Sequence, residues 1–287
     1  MRLIVLASLL AATVASVNSG SAQQIVGREG TSYSLTERID DGAWIRIASP
    51  NGTIRVTQGP GTQVEVRAEK VIRRGDAEDV GFVVRRGSGG LTVCAVYDDE
   101  DECDEDGDYH GRNRSSDWWR EHQIRIDFTV RIPAGVRVKA GSGNGEVSIS
   151  GAGPEVIAAS GNGRVTVEGA HGPVDASSGN GDIRVTTSAG PVTASSGNGD
   201  IDVAMDQLER SASMEFSTGN GSITVAVPED FGAELQSSTG NGRVSVDLPL
   251  KVRGRINHSR VRGTIGDGGG RLVMTSGNGN IEVRRQR

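Results

Sequence analysis

Short runs of alternating apolar and polar residues recur along the second half of the chain. Val147 and Ile149, Val165 and Val167, Ile183 and Val185, Ile201 and Val203, Ile223 and Val225, Val244 and Val246, and Ile281 and Val283 are each two positions apart. That spacing puts both side chains on one face of a β-strand and turns residues such as Asp182 and Arg184 to the other. A second set precedes the first, with Val156 and Ala158, Val174 and Ala176, and Val192 and Ala194, later enlarged to Met214 and Phe216 and to Leu272 and Met274. Between the two sets lies Ser-Gly-Asn-Gly around Asn144, Asn162, Asn180, Asn198 and Asn278, or Thr-Gly-Asn-Gly around Asn220 and Asn241. From Asn144 to Asn241 the successive intervals are 18, 18, 18, 22 and 21 residues.

Each unit therefore reads as strand, tight turn, strand, tight turn. An isolated unit cannot bury its apolar face, so the units must stack. The predicted fold is all-β, a β-solenoid (single-stranded β-helix or β-roll-like) with 18–22-residue repeats. Gly-Asn-Gly suits a turn because Gly adopts positive φ freely and Asn more easily than most residues. The opposite turn uses Ala-Gly-Pro or His171-Gly172-Pro173, where Pro presets φ and interrupts the ladder. Stacking in register would set neighbouring strands roughly 4.8 Å apart and align Asn144, Asn162, Asn180 and Asn198 as an amide ladder. A hairpin meander is the competing arrangement, and the constant period favours the solenoid. Whether one turn takes 18 residues or two units of 18 stays open.

Residues 23–140 are less regular. Ala43–Ile47, Thr62–Val66, Gly81–Val84 and Gln123–Phe128 read as strands. Terminal units of a solenoid must cover its open core, so this region is expected to be an N-terminal cap or entry sheet leading into repeats at 141–287. Degenerate copies of the unit are read at Asn51-Gly52-Thr53-Ile54 and at Arg262-Gly263-Thr264-Ile265. Residues 1–22 carry a positive charge, an apolar stretch from Leu3 to Val17 and the small residues Gly20-Ser21-Ala22, the pattern of a secretory signal peptide. The expected location after its removal is periplasmic or extracellular, and no transmembrane segment is expected in the mature chain.

Composition narrows the picture further. With 42 glycines and 3% aromatic residues, the core must be thin and built from Val, Ile and Ala. A net charge of −6 argues against nucleic acid as a partner. From Asp98 to Asp108, nine of eleven residues are acidic. So dense a run reads either as a solvated, self-repelling loop or as a weak calcium site using Asp98, Asp99, Asp101, Asp104, Asp106 and Asp108. Calcium is the one cofactor considered. Cys94 and Cys103 are the only cysteines, and in an exported protein they are expected to form a disulfide. Trp118 and Trp119, beside Arg120, form either an exposed stacking patch for sugar or protein or part of the cap's packing.

Other chemical signals are weaker. The Gly-x-Gly elements lie between strands, not before a helix, which excludes a dinucleotide fingerprint. Arg74-Gly75-Asp76 is too short a motif to stand above chance. His110, His122, His171 and His258 share no metal spacing. Asp182, Asp200 and Asp202 should face outward on neighbouring coils, where paired carboxylates could serve a glycoside hydrolase. Their counterparts in other units are Arg, Ser and Thr, as on an ordinary solvated face, so no catalytic residues are assigned. Arg284, Arg285 and Arg287 are expected to guard a sheet edge against self-association.

The Ile-Pro-Ala-Gly lead-in at 132–135, followed by repeated Ser-Gly-Asn-Gly-(Asp/Arg/Glu)-(Ile/Val)-x-Val, resembles the bacterial putative-adhesin domain family of unknown function. The resemblance covers residues 40–287 and implies a β-solenoid in an exported or membrane-attached protein, with no catalytic residues to carry over. The acidic insertion with its two cysteines departs from the pattern. The expectation is an exported noncatalytic binding or scaffold protein of the cell envelope, meeting a polysaccharide or protein. A polysaccharide-acting enzyme on a β-helix is the alternative.

Overall fold

The computed structural model describes residues 24–87, 89–151, 153–187, 189–207, 212–252 and 257–286; the signal-peptide reading lies outside them. The chain winds as a β-solenoid in which each coil gives one strand to each of two sheets. Numbered along the stack, coil 1 pairs Gly90–Val96 with Ile124–Ile132, coil 2 Trp44–Ser49 with Ile54–Gln58, and coil 3 Arg137–Asn144 with Val147–Ser150. Coil 4 is Val156–Asn162 with Val165–Ala170, coil 5 Val174–Asn180 with Ile183–Thr187, and coil 6 Val192–Asn198 with Ile201–Met205. Coil 7 is Ser213–Asn220 with Ile223–Val227, coil 8 Gly270–Asn278 with Ile281–Arg285, and coil 9 Ala233–Asn241 with Val244–Val246.

Neighbouring coils run parallel in both sheets. Val156 pairs with Val174 and Val165 with Ile183, so one turn of the solenoid takes 18 residues. The alternating apolar positions of both sheets face one another as a single core running the length of the stack. It is thin in the middle coils, where Val156, Ala158, Val165 and Val167 fill it, and thicker towards the ends with Phe82, Phe128, Phe216 and Met274.

Three columns of polar groups and backbone hold the Ser-Gly-Asn-Gly corner. The seven asparagines form one amide ladder in stack order, Asn144, Asn162, Asn180, Asn198, Asn220, Asn278 and Asn241, each Nδ2 donating to the previous Oδ1 at 2.7–2.8 Å. Beside it the Ser or Thr that opens the motif turns inward and donates to a carbonyl of the adjoining coil, as Ser160 does to Gly145 and Ser178 to Gly163. Positive φ is not what the motif needs from Asn: among the described residues every positive φ belongs to a glycine. The glycines answer mainly to close approach. A Cβ on Gly161 would stand 2.4 Å from the Gly143 carbonyl oxygen, and one on Gly163 would stand 2.3 Å from that of Gly145.

Antiparallel strands close both sheets at one end and the first sheet at the other, where the second sheet ends on Val244–Val246. At one end Ile25–Val26 and Gly81–Gly87 extend the first sheet, while Ser32–Arg38 and Gln63–Ile72 extend the second. At the other, Arg260–Ile265 and Leu250–Val252 follow coil 9. Such strands end the parallel ladders without offering another coil a matching edge. The upstream copy at Asn51–Ile54 is the corner of coil 2. The downstream copy at 262–265 is not a coil but part of the antiparallel cap, because its strand runs against Ala233–Ser238.

Chain order and stack order differ at both ends. Coil 2 precedes coil 1 in sequence, and coil 8 follows coil 9 but lies between it and coil 7. Arg284 and Arg285 therefore lie one strand in from the last strand of the second sheet. Arg284 sits opposite Ala226 and Arg285 opposite Val227 on one side, while the outermost strand pairs only as far as Val283. Arg285 stands 3.7 Å from Glu229, and Arg287 lies outside the described residues.

Candidate functional site

Between the two strands of coil 1 the chain leaves the solenoid and folds back over the outer face of the first sheet. This insertion holds a two-stranded ribbon, Glu102–Cys103 against Tyr109–His110, and a short helix, Ser116–Glu121, capped by the Ser115 hydroxyl accepting from the Trp118 N–H. Cys94 and Cys103 are joined as a disulfide. Ile45 and Ile47 point into the main core, so Trp44, Arg46 and Ala48 point out, and the parallel register places Cys94 and Gly141 in the column of Ala48. The disulfide thus rises from the outer face. Around it Ala48, Val83, Val96 and Tyr109 form a second, small core under the insertion.

The acidic run is fixed by cations from just after it and from distant parts of the chain. Asp99 meets Arg28 at 2.6 Å and Glu100 meets Arg112 at 2.6 Å. Asp98 and Asp101 share the Arg114 guanidinium at 2.6 and 2.7 Å. The Asp104 carboxylate accepts from the Asp108 N–H. The tip crosses a single outward column of three coils: Thr92 donates to the Glu105 carbonyl, Arg46 faces Asp106 at 3.6 Å, and Lys139 binds Asp108 at 2.7 Å. The six aspartates considered for calcium do not converge, and among the described residues no three acidic, His or Cys groups stand where they could share a metal ion.

Asp101 is the keystone. Its side chain is fully buried and accepts from the Tyr97 N–H, the Tyr109 hydroxyl, the Arg112 N–H and Arg114. Burial alone would raise its pKa, but these donors together hold it below the ordinary aspartate value. Burial pushes the Tyr97 phenol up to about 12, and burial with the Asp101 hydrogen bond raises Tyr109 as well. Both tyrosines therefore act as neutral groups.

The two tryptophans divide their work. Trp118 packs against the main core, stacked on His122 at 4.2 Å and beneath the Arg114 guanidinium at 4.6 Å. Trp119 meets Tyr97 edge-on but remains 39% exposed. It stands at a groove of about 550 Å³ between the insertion and coils 2 to 4, lined also by Pro50, Tyr109, Arg112, Lys139 and Asn144. The described structure has one further acidic cluster on the coils. Asp182 accepts from the Asp200 N–H and Asp200 from the Ser222 N–H, while Arg164 and Arg184 stand 3.8 and 3.6 Å from Asp182 and Asp202. These carboxylates tie successive corners together.

Sequence reasoning isolated the insertion, the disulfide and the tryptophans but not Arg114, Lys139 or Arg46. Arg112 and Arg114, directly after the acidic run, were an available signal of charge compensation; Lys139 and Arg46 were not, since only the coil register brings them to it. None of the described helices is long and apolar enough to cross a membrane.

A family model, Toastrack DUF4097, matches residues 120–284. Among solved structures the chain is similar to a putative cell adhesion protein from Clostridium sporogenes, with 10% identity over 89% of this chain and 100% of that one and a TM-score of 0.39. It is also similar to a putative adhesin from Bacteroides fragilis, with 14% identity over 89% of this chain and 98% of that one and a TM-score of 0.41. No curated protein matches the chain.

Proposed function

Taking as premise that the chain belongs to the Toastrack DUF4097 family, we propose that it is an exported, noncatalytic binding protein of the bacterial envelope. Its ligand, a surface polysaccharide or protein, is met in the groove between the insertion and the first sheet. One observation carries this reading: Trp119 is left exposed at the wall of a 550 Å³ groove whose other wall is a rigid stack of coils. Concave sites with an aromatic wall and a few placed polar groups are the usual form of a ligand pocket. A disulfide that fastens the insertion supports an oxidising compartment. The carboxylates on the coils already have backbone and guanidinium partners, which favours a structural role for them over acid–base work.

The test is binding of the chain lacking residues 1–22 to envelope polysaccharides and surface proteins, with and without calcium, while released sugars are assayed. Saturable binding that Trp119→Ala weakens, with no sugar released, is the expected result. Sugar release abolished by Asp200→Ala would overturn the noncatalytic reading, and calcium-dependent binding would return the acidic run to a metal role.

A further inference from the structure

From the lining of this groove and the coil register beyond it, and resting on the reading above, we infer that the ligand is a neutral linear glycan. Its chain lies along the stack axis, with one sugar against Trp119 and its neighbours on the outer face of coils 3 to 7. Three observations converge on it.

The first is charge. Lys139 is bound to Asp108, Arg112 to Glu100, and Arg114 to Asp98 and Asp101. The groove thus presents charged side chains already neutralised by partners from this chain, so it offers an anionic or cationic ligand no net charge to attract it. A polyhydroxylated neutral ligand needs none, because hydroxyls donate to carboxylates and accept from guanidinium and ammonium groups without breaking the pairs.

The second is spare donor capacity. Arg112 and Lys139 line the groove, and each carries N–H donors beyond the one its carboxylate partner takes. A sugar hydroxyl oxygen is an acceptor those donors can meet while the pair stays whole.

The third is the floor. Register puts Gly141, Ala159, Ser177, Ser195 and Ser217 in one outward column that emerges from under the insertion. Parallel to it runs the amide ladder, in which each asparagine spends one N–H on its neighbour and keeps a second. A narrow floor of small residues beside a file of amide donors repeats at the coil spacing of roughly 4.8 Å, the scale of one pyranose ring. Apolar sugar faces stack on aromatic rings such as Trp119, while the hydroxyl rims meet the amides.

Calorimetry on the intact chain tests this with malto-, cello- and chito-oligosaccharides from disaccharide to octasaccharide, and polygalacturonate as anionic control. At least one neutral series should bind, more tightly with length and with little dependence on salt. Trp119→Ala should weaken it about tenfold, with Trp119→Phe retaining most of it. Ser195→Arg, at an exposed position outside the groove on coil 6, should bring the octasaccharide down to about the affinity of the tetrasaccharide, which reaches only coils 3 to 5, and leave the disaccharide and the fold unchanged. The inference falls if no neutral series binds, if affinity ignores length, or if polygalacturonate binds better and salt weakens it. In that last case, sensitivity to Trp119→Ala would leave the groove as contact site while removing the neutral glycan; insensitivity of every probe to Trp119→Ala would remove both.

Discussion

Each residue of the Ser-Gly-Asn-Gly corner answers a different demand of stacking. The serine hydroxyl occupies a buried position and is tolerated because the next coil offers a carbonyl at 2.8–3.0 Å. The asparagine links two coils through one side chain, so Asn180→Ala removes the bonds to Asn162 and Asn198 together. At this exposed edge the expected loss is about 1 kcal/mol, read from urea unfolding. Gly181→Ala should be worse: its Cβ would stand 2.2 Å from the Gly163 carbonyl oxygen, and backbone cannot step aside as a side chain can. A loss of about 3 kcal/mol or more is expected by the same measurement. The ladder was legible in the sequence because its period is exposed in the motif itself. The reason for the glycines was not, since close approach between coils is a property of the stack and any glycine suggests positive φ when read alone.

The insertion behaves as an element with two fastenings, one covalent and one electrostatic. The disulfide closes a small loop, Cys103 lying nine positions after Cys94, and its removal by paired serine substitution should cost about 2–3 kcal/mol. The electrostatic fastening is Asp101 with Arg114. Because the folded pKa of Asp101 lies below its unfolded value, its contribution is complete above the ordinary aspartate range. It is lost as the pH falls through the folded value, where the unfolded chain has already taken up the proton. Tryptophan fluorescence of a Trp44→Phe background, which leaves Trp118 and Trp119 against Tyr97, should therefore show the insertion loosening in acid before the coils melt. Asp101→Asn should abolish that step and cost about 3 kcal/mol at neutral pH, since it leaves buried Arg114 with one carboxylate fewer. The acidic run looked self-repelling in sequence because its counter-ions, Arg28, Arg46 and Lys139, lie up to 71 residues away. Charge pairing across a fold leaves little trace in local composition.

For the whole molecule, the equal 18-residue turns mean that stability is approximately a sum over coils and their interfaces. Excising residues 164–181 joins coil 4 to coil 5 at equivalent positions and preserves the side-chain alternation of both sheets. The shortened chain should fold, with circular dichroism showing an unchanged β spectrum and a Tm lowered by less than about 10 °C. Excising Ser178 alone should be far more damaging, because a shift of one residue turns the rest of that strand inside out. The sequence made the coils legible but not their order, as Ala233–Asn241 and Gly270–Asn278 present the same motif to the strand beneath. Only the packing decides between them, and it seats the later segment inside the earlier one. Synthesis runs the other way. When residues 233–246 leave the ribosome, the place beneath them has no occupant, and they must either wait unpaired or settle on coil 7 and then yield it. If they settle first, one strand must later displace another, and a chain halted before that exchange would be ordered, wound and one layer wrong.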